Sequence, residues 1–163
     1  MMPSEFVQFS GPLNTEYAYD ESEALGSDYW RVTKTFRYYI GSLDSQRWVT
    51  IPAGYLTDGA SVPRIFWNII PPWGRYGAAT TVHDILCEYL EIYDHGEIKK
   101  ITRAEADEIL LEAMTVLGVK KQDRDRIYNA VCLYRIVSGV NKPMGSKRKR
   151  ILEATWAIRN LGE

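Results

Sequence analysis

Polar and apolar positions alternate along the second quarter of the chain and then change period. From Tyr29 to Ile40, β-branched and aromatic residues recur at nearly every second position, which predicts one long strand. Gly41-Ser42-Leu43-Asp44-Ser45 supplies a turn, Arg47 to Ile51 a return strand, and Pro52-Ala53-Gly54 a stop, so the pair reads as a hairpin. Beyond it the period is helical. Arg75 to Tyr93 sets Ala78, Val82, Leu86, Tyr89 and Tyr93 on one stripe. Thr102, with Glu105 three residues on, forms a capping box for a helix bearing Ala106, Ile109, Leu110, Ala113, Met114 and Leu117, which Gly118 stops. Gln122 to Val137 repeats the stripe with Ile127, Ala130, Val131 and Tyr134, and a last helix is expected from about Ser146 to Leu161. The predicted class is α+β, a small N-terminal antiparallel sheet built on the hairpin and packed with a C-terminal bundle of about four helices.

At 163 residues the chain has the size of one domain. Residues 1–30 read as an acidic arm or edge hairpin, 31–57 as the hairpin, and 58–163 as loop-rich and then helical. With 45% hydrophobic and 25% charged residues the composition is that of an ordinary globular protein, which excludes collagen-like and largely disordered classes. A net charge of −1 gives no global attraction to nucleic acid or to an anionic membrane, so such a partner needs a local patch. Two segments are locally charged. Glu5, Glu16, Asp20, Glu21, Glu23 and Asp28 stand in the first thirty residues with no Lys or Arg among them. Lys147-Arg148-Lys149-Arg150 opens the last helix, with Lys142 just before it. Cations in a first turn oppose the helix dipole, so this patch is a solvated cluster or a contact: with phosphate of nucleic acid or lipid headgroups, or with the acidic segment of another subunit. Cys87 and Cys132 are far apart and lack zinc-site spacing, which fits a reducing compartment. No run of apolar residues is long enough for a membrane span, and MMPSEFVQF lacks the features of a signal peptide, so a cytoplasmic start is expected.

Candidate chemistry concentrates between Tyr55 and Tyr89, where Asp58-Gly59-Ala60-Ser61, Pro71-Pro72-Trp73-Gly74, Gly77 and the pair His83-Asp84 fall close together. His83 shares a helical face with Leu86 and Leu90, so its ring is expected to be partly buried and to need partners. Asp107 sits beside Ala106 with Leu110 and Met114 at i+3 and i+7, which turns a carboxylate to the core edge of a neighbouring helix. The economical solution has Asp107 accept from one ring nitrogen of His83, leaving the other free as a base and Asp84 available to a cation. Plainer readings stand beside these. His83 can be a satisfied core histidine, Asp107 a carboxylate favouring the helix dipole, Asp58-Gly59 a turn, and Ser61-Val62-Pro63 a helix start. Ser61 as a nucleophile lacks the GxSxG context. His95 reads as an exposed loop histidine between helices, and no second His precedes His83, which excludes an HD-type phosphohydrolase. Trp67 and Trp73 read as core aromatics or as an exposed apolar ridge.

The run from TDGASVP through PPWGRYG to HDIL, followed by RAEADEILLEAM, closely resembles domain of unknown function family 1353 over roughly Arg47 to Val119. That resemblance implies an origin in phages, prophages or bacteria and no particular activity. His83-Asp84 followed by Asp107 on a second helix also resembles the phospholipase A2 superfamily, with Cys87 where that superfamily has a tyrosine. The second resemblance implies His83 as general base, Asp107 as its orienter and Asp84 as a ligand to Ca²⁺. Asp58-Gly59, or Gly74 to Gly77, would then supply carbonyl ligands. Two functions are therefore expected: a calcium-assisted His-Asp ester hydrolase acting on phospholipid, or a non-enzymatic virion, tail or assembly component. The second would contact other virion or host proteins, in the cytoplasm of the infected bacterial host or in the virion.

Overall fold

The computed structural model describes residues 8–58 and 74–161. They form two antiparallel sheets and five helices. The first sheet has the order β1-β2-β5, from β1 (Thr15–Tyr17), β2 (Trp30–Val32) and β5 (Leu56–Thr57). The second has the order β3-β4-β6-β7, from β3 (Phe36–Tyr39), β4 (Arg47–Ile51), β6 (Glu91–Asp94) and β7 (Glu97–Lys100). The helices are α1 (Tyr19–Leu25), α2 (Gly77–Tyr89), α3 (Arg103–Val116), α4 (Lys121–Ser138) and α5 (Lys147–Leu161). The class is α+β. Among the described residues no helix is long and apolar enough to cross a membrane.

The expected hairpin is present as β3–β4, with Phe36 opposite Ile51 and Tyr38 opposite Val49. These four residues are buried, while Arg37 and Thr50 between them turn outward, the period-two pattern of a sheet with one covered face. The single strand expected over Tyr29–Ile40 is instead cut in two. Thr33-Lys34-Thr35 interrupts the alternation, and Val32 exchanges backbone bonds with residues 54 and 55 (Val32 N to Tyr55 O 2.8 Å, Gly54 N to Val32 O 2.7 Å), which commits β2 to the other sheet. Upstream, the acidic segment contributes edge strand β1 and helix α1, and Glu21 of α1 pairs with buried Arg31 at 2.8 Å.

The helix expected over Arg75–Tyr93 stops at Tyr89. Leu90 adopts φ +51° and donates its N–H to Leu86 O, closing the last turn. Strands β6 and β7 then form a hairpin, in which His95 (φ +48°) and Gly96 (φ +89°) make a two-residue turn with both residues left-handed. Tyr93 therefore lies on β6, stacked on Trp48 of β4 with ring centroids 4.2 Å apart, instead of on the helical stripe. His95 is exposed at the tip of this hairpin, in the connection between α2 and α3.

The core lies where α2 packs on α3 and β4, and α3 packs on α4. Ala79, Val82, Leu86, Ala106, Leu110, Ala113, Met114, Ile127 and Val131 fill it. Helix α3 begins as its sequence predicts: Thr102 Oγ1 accepts from the Glu105 N–H at 3.1 Å, a cap worth about 1 kcal/mol. Glu112 ties α3 to the sheet. Its Oε1 accepts from Tyr38 Oη at 2.6 Å, Gln8 Nε2 at 2.8 Å and Gly41 N at 2.9 Å. Helix α5 is held against the first sheet by Glu153 Oε2, which accepts from Leu56 N at 2.8 Å, and by Trp156, which the Arg31 guanidinium covers at 4.9 Å. Gly54 makes room for that indole. A Cβ there would meet Trp156 at 2.8 Å, and its φ of +99° disfavours any L side chain.

Candidate active site

Successive helical residues project about 100° apart, so adjacent His83 and Asp84 of α2 serve two different surroundings. His83 turns toward α3 and α4. Its Nε2–H donates to Asp107 Oδ1 at 2.6 Å, and Arg135 Nε of α4 donates to Asp107 Oδ2 at 2.8 Å. Cys87, one turn along α2, places Sγ 3.4 Å from Nε2 and 3.7 Å from Nδ1. Thus Nδ1 is the ring nitrogen without a carboxylate. Burial by itself disfavours the charged ring, but the Cys87 sulfur and the Asp107 carboxylate outweigh it and push the His83 pKa up to about 9. For Asp107 burial acts upward, and His83 and then Arg135 overcome it, holding the carboxyl below its ordinary value.

Asp84 turns the other way, toward the first sheet and α5. Burial, and then the Asp58 carboxylate, push its pKa up to about 7, while Lys149 and the Tyr55 hydroxyl act to keep it ionised. Lys149 is not part of a solvated patch. Its side chain is 7% exposed, and Nζ donates to Glu88 Oε1 at 2.6 Å and to Glu153 Oε2 at 3.1 Å. The same ammonium stands 4.1 Å from the centroid of the Tyr55 ring. Burial would discharge it, but Asp84, Glu153 and Glu88 outweigh that and raise its pKa. Arg150 lies over the Tyr89 ring at 4.5 Å with Nε 3.9 Å from Glu88 Oε2, while Lys147 and Arg148 are exposed.

The structure thus brings His83 together with Asp107, and Asp84 together with Asp58 and Lys149. Gly59 and Ser61 lie outside the described residues, as do Trp67 and Trp73. Gly74 is exposed in the turn before α2, accepts from Gly77 N at 3.0 Å, and lines a groove of about 250 Å³ with Phe9, Leu13 and Leu117. A second groove, of about 470 Å³, is lined by Trp48 and Thr50 of β4, Tyr93 of β6 and Ile85 and Tyr89 of α2. Neither groove includes His83 or Asp84 in its wall.

Among the described residues no three His, Cys, Asp or Glu side chains are grouped to hold a metal ion. The carboxylates around Asp84 already enclose an ammonium. A calcium site of the kind the phospholipase resemblance implies therefore does not fit these residues, and no chemical step is routed through one.

Arg135, Glu88 and Glu153 went unread in the sequence. Arg135 continues the buried stripe of Ile127 and Val131 at i+4, where a charge signals a buried partner. Asp84 and Glu88 on α2, one turn apart, form a like-charge pair that calls for a cation, and Lys149 with Glu153 on α5 is the i,i+4 pair that answers it.

A sequence profile for a family described as "Protein of unknown function (DUF1353)" matches residues 30–131. The matched span runs from the start of β2 into α4 and holds Asp58, His83, Asp84 and Asp107, but not Arg135, Lys149 or Glu153. The chain is also similar, at 48% identity over 40 residues, to the uncharacterised protein y4jT of Sinorhizobium fredii. That match covers 23% of this chain and 12% of the relative, so the chain spans only a small part of the curated relative's length. No solved structure matches.

Proposed function

The chain belongs to the DUF1353 family, and from the site itself we propose that it is an ester hydrolase in which His83 is the general base and Asp107 its orienter. The observation that carries this reading is the 2.6 Å bond between His83 Nε2 and Asp107 Oδ1 across two packed helices. That bond keeps a proton on Nε2, so when the ring gives up its second proton it is Nδ1 that gains the lone pair, takes a proton from the attacking water and returns it to the leaving alcohol oxygen as the ester C–O bond breaks. Asp107, held ionised by Arg135, then stabilises the imidazolium that forms. Because the His83 pKa stands at about 9, the base form grows as the pH rises from neutrality. The substrate proposed is a carboxylic ester of the phospholipid type. The test is fatty-acid release from phosphatidylglycerol vesicles by the wild type and by His83→Gln. Release that falls about 100-fold or more in the variant supports the reading; absence of release by the folded wild type contradicts it.

One observation favours a second reading. His83 is 0% exposed and Asp107 1%, with both carboxylate oxygens of Asp107 occupied. Sealed in this way, the trio fastens α2, α3 and α4 together and has no chemical role. The chain is then a non-enzymatic phage or prophage component that contacts other proteins of the particle or the host. Under this reading His83→Gln lowers Tm, and the wild type releases no fatty acid at any pH.

A further inference from the structure

We propose that two copies of the chain pair antiparallel through strand β7, with a two-fold axis at Ile98, and so join their second sheets into one continuous sheet. The two edges of that sheet are not alike. Outside β3, Tyr39 N donates to Gln8 O at 2.7 Å and Ser10 N to Arg37 O at 2.9 Å, so a neighbouring segment covers that edge. Beyond β7, among the described residues, no segment bonds to the backbone, and every residue of the strand is exposed. Ile98 is 67% exposed. An uncovered strand edge is a template for a further strand.

The hairpin register determines which backbone groups face outward. Its two-residue turn makes Asp94 and Glu97 a hydrogen-bonded pair, and every second pair after it bonds likewise, down to Ile101 N, which donates to Leu90 O at 3.0 Å. Glu97 and Lys99 therefore turn their N–H and C=O to β6, while Ile98 and Lys100 turn theirs away from it. A second copy of β7 must bond at these outward positions, which puts the two-fold axis on a residue, and charge selects the residue. An axis on Glu97, Lys99 or Lys100 sets like charges opposite each other. With the axis on Ile98, that side chain faces its own copy, and Glu97 of each chain faces Lys99 of the other. Among the described residues Glu97 makes no ion pair within its own chain, and Lys100 would oppose Gly96, which carries no side chain to obstruct it. Lysines on an edge ward off strands that bring no acid to them, and the same strand run antiparallel brings one. Pairing also continues the outer-face row of Tyr39, Trp48, Tyr93 and Ile98, which stand opposite one another across the four strands, into the second copy.

The experiment is sedimentation velocity of the full chain over a concentration series, with Tm and circular dichroism recorded for each variant. Wild type is expected to associate reversibly from one copy to two. Ile98→Pro removes an N–H that faces away from β6, so the hairpin keeps its bonds while the pairing loses its central ones, and this variant is expected to sediment as one copy. Glu97→Lys and Lys99→Glu each replace attraction with repulsion at both symmetry-related positions and are expected to raise the Kd of association about tenfold or more. The double variant Glu97→Lys with Lys99→Glu restores the complementarity and is expected to associate as the wild type does. A wild type that sediments as one copy at every concentration would overturn the proposal. So would a dimer that both single charge reversals leave as tight as wild type, because its contact would then lie on another surface.

Discussion

Arg135 Nε lies 2.8 Å from Asp107 Oδ2, on the oxygen opposite the one His83 occupies. One buried carboxylate thus answers two cationic partners from two different helices. Such a group is costly to disturb, because removing its charge leaves both partners uncompensated. Asp107→Asn is expected to lower stability by about 3 kcal/mol, read from urea unfolding, and to reduce fatty-acid release about 100-fold or more. A stability cost with undiminished release would assign Asp107 to packing alone.

Stability should depend on pH with a definite sign. His83, raised from 6.5 to about 9, binds its proton more tightly when folded, so its contribution is complete below pH 6.5 and is lost as the pH rises through about 9. Asp84, raised from 3.8 to about 7, acts in the same direction: its contribution is complete below 3.8 and is lost on approach to about 7. Asp107 is lowered and acts oppositely, adding stability above the unfolded value that is lost as the pH falls through its folded one. Thermal unfolding should therefore show a Tm maximum at mildly acidic pH and a fall of several degrees toward alkaline pH. In His83→Gln the alkaline part of that fall should be absent. A wild-type Tm that stays level between neutral and alkaline pH would contradict the assigned protonation.

Glu112 gathers three donors on one oxygen, and the buried Tyr38 hydroxyl is the closest of them at 2.6 Å. Glu112→Ala is expected to cost about 2 kcal/mol, since the phenol is left without an acceptor inside the protein. Adding Tyr38→Phe should recover part of that cost, so the double mutant should be more stable than the sum of the single changes allows. Strict additivity in denaturant melts would mean the bond contributes nothing.

Gly54→Ala tests how α5 is seated. The new Cβ meets Trp156 at 2.8 Å and must adopt φ +99°, so a loss of about 1–2 kcal/mol or more is expected. In a Trp156→Ala background the steric part should vanish and the backbone part remain. Hydrogen exchange in α5 should rise more than in α3, because only α5 loses its seat.

Much of this organisation was legible in the sequence because it obeys local rules. The β3–β4 alternation, the Thr102 cap and the Gly118 stop each rest on residues a few positions apart, and the structure has them. The pairing of His83 with Asp107 could be read because two polar residues interrupted apolar stripes on neighbouring helices. The β6–β7 hairpin was hidden by coincidence of period: Tyr89 and Tyr93 fit a helical stripe as well as a turn followed by a strand. Only His95-Gly96 between two alternating runs carried the signal. Lys149 was unreadable for a different reason. Whether a cation in a basic run points to solvent or inward depends on which acids the fold brings to it, and Glu88 lies 61 residues away.

The most direct measurement is the pH–rate profile of fatty-acid release from phosphatidylglycerol vesicles, for wild type and Asp107→Asn side by side. The wild-type rate is expected to climb tenfold per pH unit from neutrality and to level near pH 9, following loss of the His83 proton. Asp107→Asn should show a much lower rate that levels at a lower pH, since the carboxylate that raised the histidine is gone. A wild type that is folded and releases no fatty acid at any pH would contradict the hydrolase and leave the His83–Asp107–Arg135 trio as a fastener of three helices.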